Sequence, residues 1–241
     1  MTDVAPAIQV RRMPLCPPFP SRTMPRYRHV LFDLDGTLID SAPAILASYR
    51  EAFASAGCTP VRAIDASIVG PPLTETLQLL TGRSDAALIA ELADHFKASY
   101  DTAGYRQTAA YAGVGEMLER LAAGGCRLSI ATNKRLLPTQ LILSHLGWAE
   151  HFEAVYALDM FQPRLPDKAT MIARLLADRG IAREDAIYIG DRAEDGESAD
   201  ANRLPFIAAT WGYGSLEAGD MAPHWRAADT PAALAAALLA G

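Results

Sequence analysis

Short apolar runs alternate with amphipathic stretches along most of this chain. The apolar runs are His29–Leu34, Arg127–Thr132, Ala154–Leu158, Ala186–Gly190 and Pro205–Thr210. Runs this short, bounded by glycine, proline and polar residues, read as buried strands. Between the later runs the apolar positions recur with helical period, which predicts helices over Gly113–Ala123, Leu137–Leu146, Ala169–Arg179 and Asp195–Asn202. An Ala/Leu-rich stretch over 232–241 predicts a terminal helix. Strands alternating with helices imply right-handed βαβ units, hence an α/β fold with a parallel sheet covered on both faces.

One interval breaks this alternation. Residues 35–126 contain no convincing strand, and helical patterns at Ala42–Ala56, Leu73–Leu80 and Asp85–Tyr100 fill much of it, punctuated by Gly57, Gly70-Pro71-Pro72 and Gly82. A crossover needs one helix. The surplus predicts an inserted helical cap domain over 41–107, with 27–40 and 108–241 forming the α/β core. Both connections of the insertion leave from the end of the first strand, so it is expected to sit over that edge as a lid, although a passive helical insertion has the same pattern.

Residues 1–26 hold six prolines and four arginines but no apolar core of a secretory signal. They read as a flexible or loosely draped tail, or as an upstream extension with a natural start at Met13 or Met24. Half of all residues are hydrophobic and 21% are charged, which fits a soluble globular protein. The net charge is −6, and no Lys/Arg block is long enough for a nucleic-acid footprint. No apolar stretch reaches membrane-spanning length. Cys16, Cys58 and Cys126 are widely spaced, with no zinc or disulfide pattern, so they read as reduced thiols of a cytoplasmic protein. No strand leads into Gly-x-Gly-x-x-Gly, which disfavours a dinucleotide enzyme. The expected partner is a small molecule, and the chain a monomer or homodimer.

The candidate chemistry sits where predicted strands end. The first run closes in Asp33-Leu34-Asp35-Gly36-Thr37. Two-residue periodicity sends Asp33 and Asp35 to one side, at the edge where open α/β sheets place ligands. At about 5 Å and an effective dielectric of ~20, two carboxylates repel by roughly 3 kcal/mol. That cost calls for a bound cation, a shared proton, or both. An Asp-x-Asp-Gly run is also a common turn or helix cap. The second run ends in Thr132-Asn133-Lys134, whose hydroxyl and N–H groups suit a phosphoryl oxygen but equally an N-cap. Lys168 stands where a helix begins, opposed to the macrodipole, which is sensible beside an anion and otherwise marks a solvated surface lysine. The fourth run ends in Gly190-Asp191-Arg192-Ala193-Glu194-Asp195, a second acidic strand tip. If the two acidic tips are neighbours, their hard oxygens suit Mg²⁺.

Together these four segments resemble the motifs of the haloacid dehalogenase superfamily, in order and spacing, from about Tyr27 to the C-terminus. Val69-Gly-Pro-Pro-Leu and Thr210-Trp-Gly-Tyr-Gly-Ser resemble its phosphoglycolate phosphatase-like branch. The resemblance implies a Rossmann-like parallel core with a helical C1 cap, and a Mg²⁺-dependent phosphatase of a small phosphorylated metabolite. Asp33 would be the nucleophile and Asp35 the general acid and base. Mg²⁺ would be held by the Asp33 carboxylate, the Asp35 backbone carbonyl and Asp191, with Asp195 supporting. Thr132, Asn133 and Lys168 would hold the phosphoryl oxygens. An aspartate at position 35 points to phosphoryl transfer rather than haloacid cleavage. The usual Lys-Pro-x-Pro around the lysine is absent here, which makes Lys134 a rival for Lys168. Asn202 stands where many relatives have glycine. Arg62, Arg83 and Arg106 are candidates to meet a substrate carboxylate, or simply surface arginines. A phosphomutase of the β-phosphoglucomutase type, or a non-catalytic phosphometabolite-binding protein, would use the same scaffold.

Overall fold

The computed structural model describes residues 25–213, 216 and 219–240. The expectations for residues 1–24, including both alternative starts and Cys16, lie outside the described residues, as do Gly214 and Ser215. In chain order the core opens with β1 (His29–Phe32) and β2 (Ile39–Asp40). The helices α1 (Ala42–Ser55), α2 (Leu73–Thr81) and α3 (Ala86–Tyr100) follow, and the chain returns through β3 (Ala109–Ala110). Then come α4 (Val114–Ala123), β4 (Arg127–Thr132), α5 (Leu136–His145) and β5 (Phe152–Ala157). The rest comprises α6 (Lys168–Arg179), β6 (Ala186–Gly190), α7 (Ala193–Ala201), β7 (Phe206–Ala209), β8 (Arg226–Ala228) and α8 (Pro231–Leu239).

The main sheet runs β5-β4-β1-β6-β7-β8, with every pairing parallel. The α/β reading is therefore correct, with α helices on both faces. Alternation along β1 divides the core. Val30 and Phe32 join the cluster with α4, α5 and α8, while Leu31 joins that of α6 and α7. Each such fully buried side chain is worth about 1.5–3 kcal/mol. The periodic pattern missed three strands. β8 is short and half exposed, and β2 and β3 are two-residue pieces paired antiparallel. None is long enough to show a period. Asn202 stands at the turn that follows Ala201. It ends α7, and its buried amide donates to the Ala169 and Ser198 carbonyls at 2.9 Å each.

Between β2 and β3, helices α1, α2 and α3 enclose a separate apolar cluster that includes Tyr49, Phe53, Leu77, Leu92 and Phe96. The bidentate ion pair of Arg135, at the start of α5, with Asp101, at the end of α3, ties this insertion to the core. No described helix is long and apolar enough to cross a membrane.

Candidate active site

Sheet order brings the acidic tips together. β1 lies between β4 and β6, so the segments following Phe32, Thr132 and Gly190 share one edge. Regular pairing of β1 ends at Phe32, but the Asp33 N–H still donates to the Ile189 carbonyl at 2.9 Å. That bond holds Asp33 against the β6 tip. The chain then turns at Gly36, whose φ of +87° suits a residue without Cβ. A Cβ there would lie 2.3 Å from Oδ2 of Asp191. Thr37 Oγ1 donates to Asp191 Oδ1 at 3.3 Å.

Asp33, Asp191 and Asp195 are all buried, and each offers an oxygen within 4.8 Å of the others. Lys168 is the first residue of α6 and is itself buried, not a surface lysine. Its Nζ lies 3.2 Å from Asp33 Oδ1 and donates to Asp195 Oδ1. The other Asp195 oxygen accepts the N–H groups of Asp191 at 3.1 Å and Arg192 at 3.0 Å. Asp195 thus spends both oxygens bracing the β6 tip and Lys168. Gly190 makes this possible, because a Cβ there would lie 2.4 Å from the Asp195 carboxylate.

Burial pushes the Asp33 carboxyl up to about 7. Lys168 pulls it down, and Asp195, Asp191 and Asp35 push it further up. Burial alone would lower the Lys168 pKa, but Asp195 and Asp33 outweigh it and hold the ammonium charged. A lysine amid carboxylates is the expected partner that makes their burial tolerable. Three buried carboxylates beside one ammonium leave excess negative charge. Those hard oxygens, in a cradle that glycine keeps open, fit a divalent cation such as Mg²⁺.

Asp35 faces another way. Its carboxylate accepts from Ser41 Oγ and from Lys134 Nζ, at 3.0 and 3.2 Å. Ser41 Oγ also lies 3.2 Å from the Tyr213 hydroxyl. The Lys134 ammonium sits 4.7 Å above the centre of the Tyr100 ring of α3. Burial would lower the Lys134 pKa, but Asp35 outweighs it and the net shift is upward. The two rival lysines therefore divide the site, Lys168 beside Asp33 and Lys134 beside Asp35. The side chain of Asp35 is outside the acidic cluster of Asp33, Asp191 and Asp195.

Thr132 ends β4 and Asn133 follows it, and both are buried. Thr132 Oγ1 accepts the Lys134 N–H at 3.2 Å, and the Asn133 amide donates to Glu194 at 3.1 Å. Asn133 Oδ1 is buried without a partner among the described residues. Arg62, Arg83 and Arg106 are all exposed on the insertion and its exit, and none lines the cleft above Asp35. Sequence reasoning missed Ser41, Tyr213 and the Arg135–Asp101 pair. Each depends on contacts between distant segments, apart from Ser41, which the Asp40-Ser41 turn before α1 could have flagged as an N-cap.

Tyrosine-protein kinase PtkA of Mycobacterium tuberculosis is 34% identical over 189 residues, covering 78% of this chain. The chain spans 64% of that relative's length. A phosphoglycolate phosphatase of Xanthomonas campestris is 35% identical over 188 residues, 77% of this chain and 84% of the relative. The crystal structure of a predicted phosphatase from Clostridium acetobutylicum superposes with a TM-score of 0.79 at 30% identity, covering 88% of this chain and 98% of that one. A family model described as haloacid dehalogenase-like hydrolase matches residues 30–209, and the chain belongs to that family.

Proposed function

We propose that this protein is a Mg²⁺-dependent phosphatase that cleaves small phosphate monoesters through a phosphorylated Asp33. The observation that carries the reading is the meeting of Asp33, Asp191, Asp195 and Lys168 at adjacent strand tips, with three carboxylate oxygens within 4.8 Å. Asp33, Asp191 and the Asp35 carbonyl would hold the cation, with Asp195 orienting them. When bound, the cation would cancel the repulsion between a carboxylate and a phosphate dianion.

The chain's own residues then divide the work. An oxygen of Asp33 attacks phosphorus, and the bond from phosphorus to the ester oxygen breaks. Asp35, entering the step as the carboxylic acid, gives that departing oxygen a proton and becomes the carboxylate that Lys134 and Ser41 hold. Water next attacks the phosphorus of the acyl phosphate, Asp35 takes its proton, and phosphate leaves with Asp33 restored. Lys168, the Thr132 hydroxyl and the Asn133 N–H hold the phosphoryl oxygens during both steps. Lys134 and Ser41 keep the Asp35 carboxylate in position. The cap insertion over 41–107 acts as a lid that excludes bulk water and contacts the leaving group. Phosphoglycolate is the substrate suggested by the sequence resemblance and by the phosphoglycolate phosphatase relative. The setting is cytoplasmic, with no nucleic acid or membrane partner.

A screen of phosphorylated metabolites with and without Mg²⁺ tests the reading. Phosphate release should require the metal and fall at least about a thousandfold in Asp33→Asn, since removal of a nucleophile costs that much or more. Full turnover by that variant would eliminate the mechanism. The PtkA likeness favours a second reading, in which the phosphoryl group passes to an acceptor other than water. Labelled acceptor in place of free phosphate would support it.

A further inference from the structure

The phosphatase steps leave a nearby cation, Arg192, without a task. It directly follows Asp191 beyond the tip of β6 and is part-buried. Its side chain reaches across to the insertion, where Nε and Cζ lie against Gly70. The Nε–H is buried and has no acceptor among the described residues. Lys134, Lys168 and Arg135 each face a carboxylate, whereas Arg192 forms no ion pair among the described residues. A guanidinium sealed off in this way carries a desolvation cost until an anion meets it.

Gly70 makes the contact possible. Its φ of +125° suits a residue without Cβ, and a Cβ there would lie 2.8 Å from the Arg192 Nε. Any other residue at position 70 would push the guanidinium aside. Gly70 also lines the cleft that includes Asp35, Asn133 and Lys134. Arg192 therefore stands between Asp191 and a wall of the cleft beside the proposed general acid. That cleft has about 50 Å³ of room. At about 10–15 Å³ for each water-sized group, it admits roughly four heavy atoms. A methylene bearing a carboxylate fills it, whereas a methylene bearing a second phosphate is too large. A carboxylate also matches the planar fork of Nε–H and one Nη–H, which meets both oxygens at once.

We propose that Arg192 determines specificity, by pairing with a carboxylate on the carbon that bears the ester oxygen of the substrate. This deepens the phosphatase reading and rests on it. Asp33, Asp35 and Asp191 repel a further carboxylate unless a cation meets it, and Arg192 supplies that cation. Gly70 belongs to the insertion, so movement of the lid opens the fork to an entering acid, and closure seals the pair from water.

A matched pair of substrates isolates the charge. 2-Phosphoglycolate and its neutral amide, carbamoylmethyl phosphate, have nearly the same size and shape. With purified full-length protein and Mg²⁺, kcat/KM for the acid should exceed that for the amide about tenfold or more, as expected when a site is built to pair with the group that the analogue lacks. The nearby aspartates by themselves favour the neutral amide, so a preference for the acid reports the cation. Arg192→Gln and Arg192→Met should each lower the ratio about tenfold. The ratio does not depend on the fraction of variant that folds. An amide turned over as fast as the acid, a ratio that either variant leaves unmoved, or turnover of other monoesters but of neither compound overturns this inference and leaves the phosphatase reading standing. Phosphate release from neither compound, nor from any other monoester, overturns both.

Discussion

The ammonium of Lys134 lies 3.0 Å from Oδ1 and 3.2 Å from Oδ2 of Asp35, with both side chains almost entirely shielded from solvent. The pair joins the loop after β4 to the turn after β1. It also lies beneath Tyr100, the last residue of α3. In the mechanism proposed above, Lys134 stands on the leaving-group side of the site and Lys168 on the phosphoryl side.

Removing one partner of such a pair strands the other. Lys134→Met should cost about 3 kcal/mol of stability, because it leaves a buried carboxylate unpaired. The double variant Lys134→Met/Asp35→Asn should recover much of that loss. Urea denaturation of the four proteins in the cycle measures it. A single variant as stable as the parent would show that the pair carries no such burden.

Gly36 ties backbone conformation to the acidic cluster. Its left-handed φ of +87° and the 2.3 Å approach of a Cβ to Asp191 act together. Gly36→Ala should lose about 1–2 kcal/mol from the left-handed backbone alone. It should also displace Asp191 and weaken Mg²⁺ binding. Thermal denaturation reads the first effect, and a Mg²⁺ titration of phosphatase activity reads the second.

The raised Asp33 pKa gives a signed pH dependence. In metal-free protein the folded value of about 7 exceeds the ordinary carboxylate value. The native state therefore binds a proton that the unfolded chain has already lost. That contribution to stability is complete below the unfolded pKa, and it disappears as pH rises through 7. Bound Mg²⁺ should reverse the trend, since it favours the ionised carboxylate. The rise in Tm on adding Mg²⁺ should accordingly be larger at pH 8 than at pH 6. A Mg²⁺-induced shift that shrinks with pH would contradict this assignment.

The Arg135–Asp101 pair ties the insertion to the core. If the insertion is a lid, Arg135→Gln should loosen its closed position, by about 1–3 kcal/mol for loss of a charge-assisted, part-buried pair. KM should rise and proteolysis of the segments joining α3 to β3 should accelerate, while the core's thermal transition stays close to the parent's. Unchanged KM and protease resistance would mark the insertion as fixed in place.

Much of this site was legible in the chain because its parts are local. Asp33-Leu34-Asp35-Gly36 shows in one line a buried run, two acids and the residue that permits the turn. Arg127–Thr132 and Ala186–Gly190 were readable to the residue, since both are short apolar runs bounded by polar ones. The helices of the insertion followed from their apolar period. By contrast, β2 and β3 are too short to carry a period and exist through their pairing with each other.

The sequence by itself determined the strand and helix series, the acidic strand ends and the surplus of helix after the first strand. These depend on periodicity, turn chemistry and residue type, which are properties of neighbours in the chain. Only the tertiary structure decided which strands are adjacent, and so which acids share a cluster. It assigned Lys168 to Asp33 and Lys134 to Asp35, and left Arg62, Arg83 and Arg106 in solvent. Those outcomes depend on distances between segments far apart in sequence. Burial and charge pairing act through space, and no local pattern encodes them.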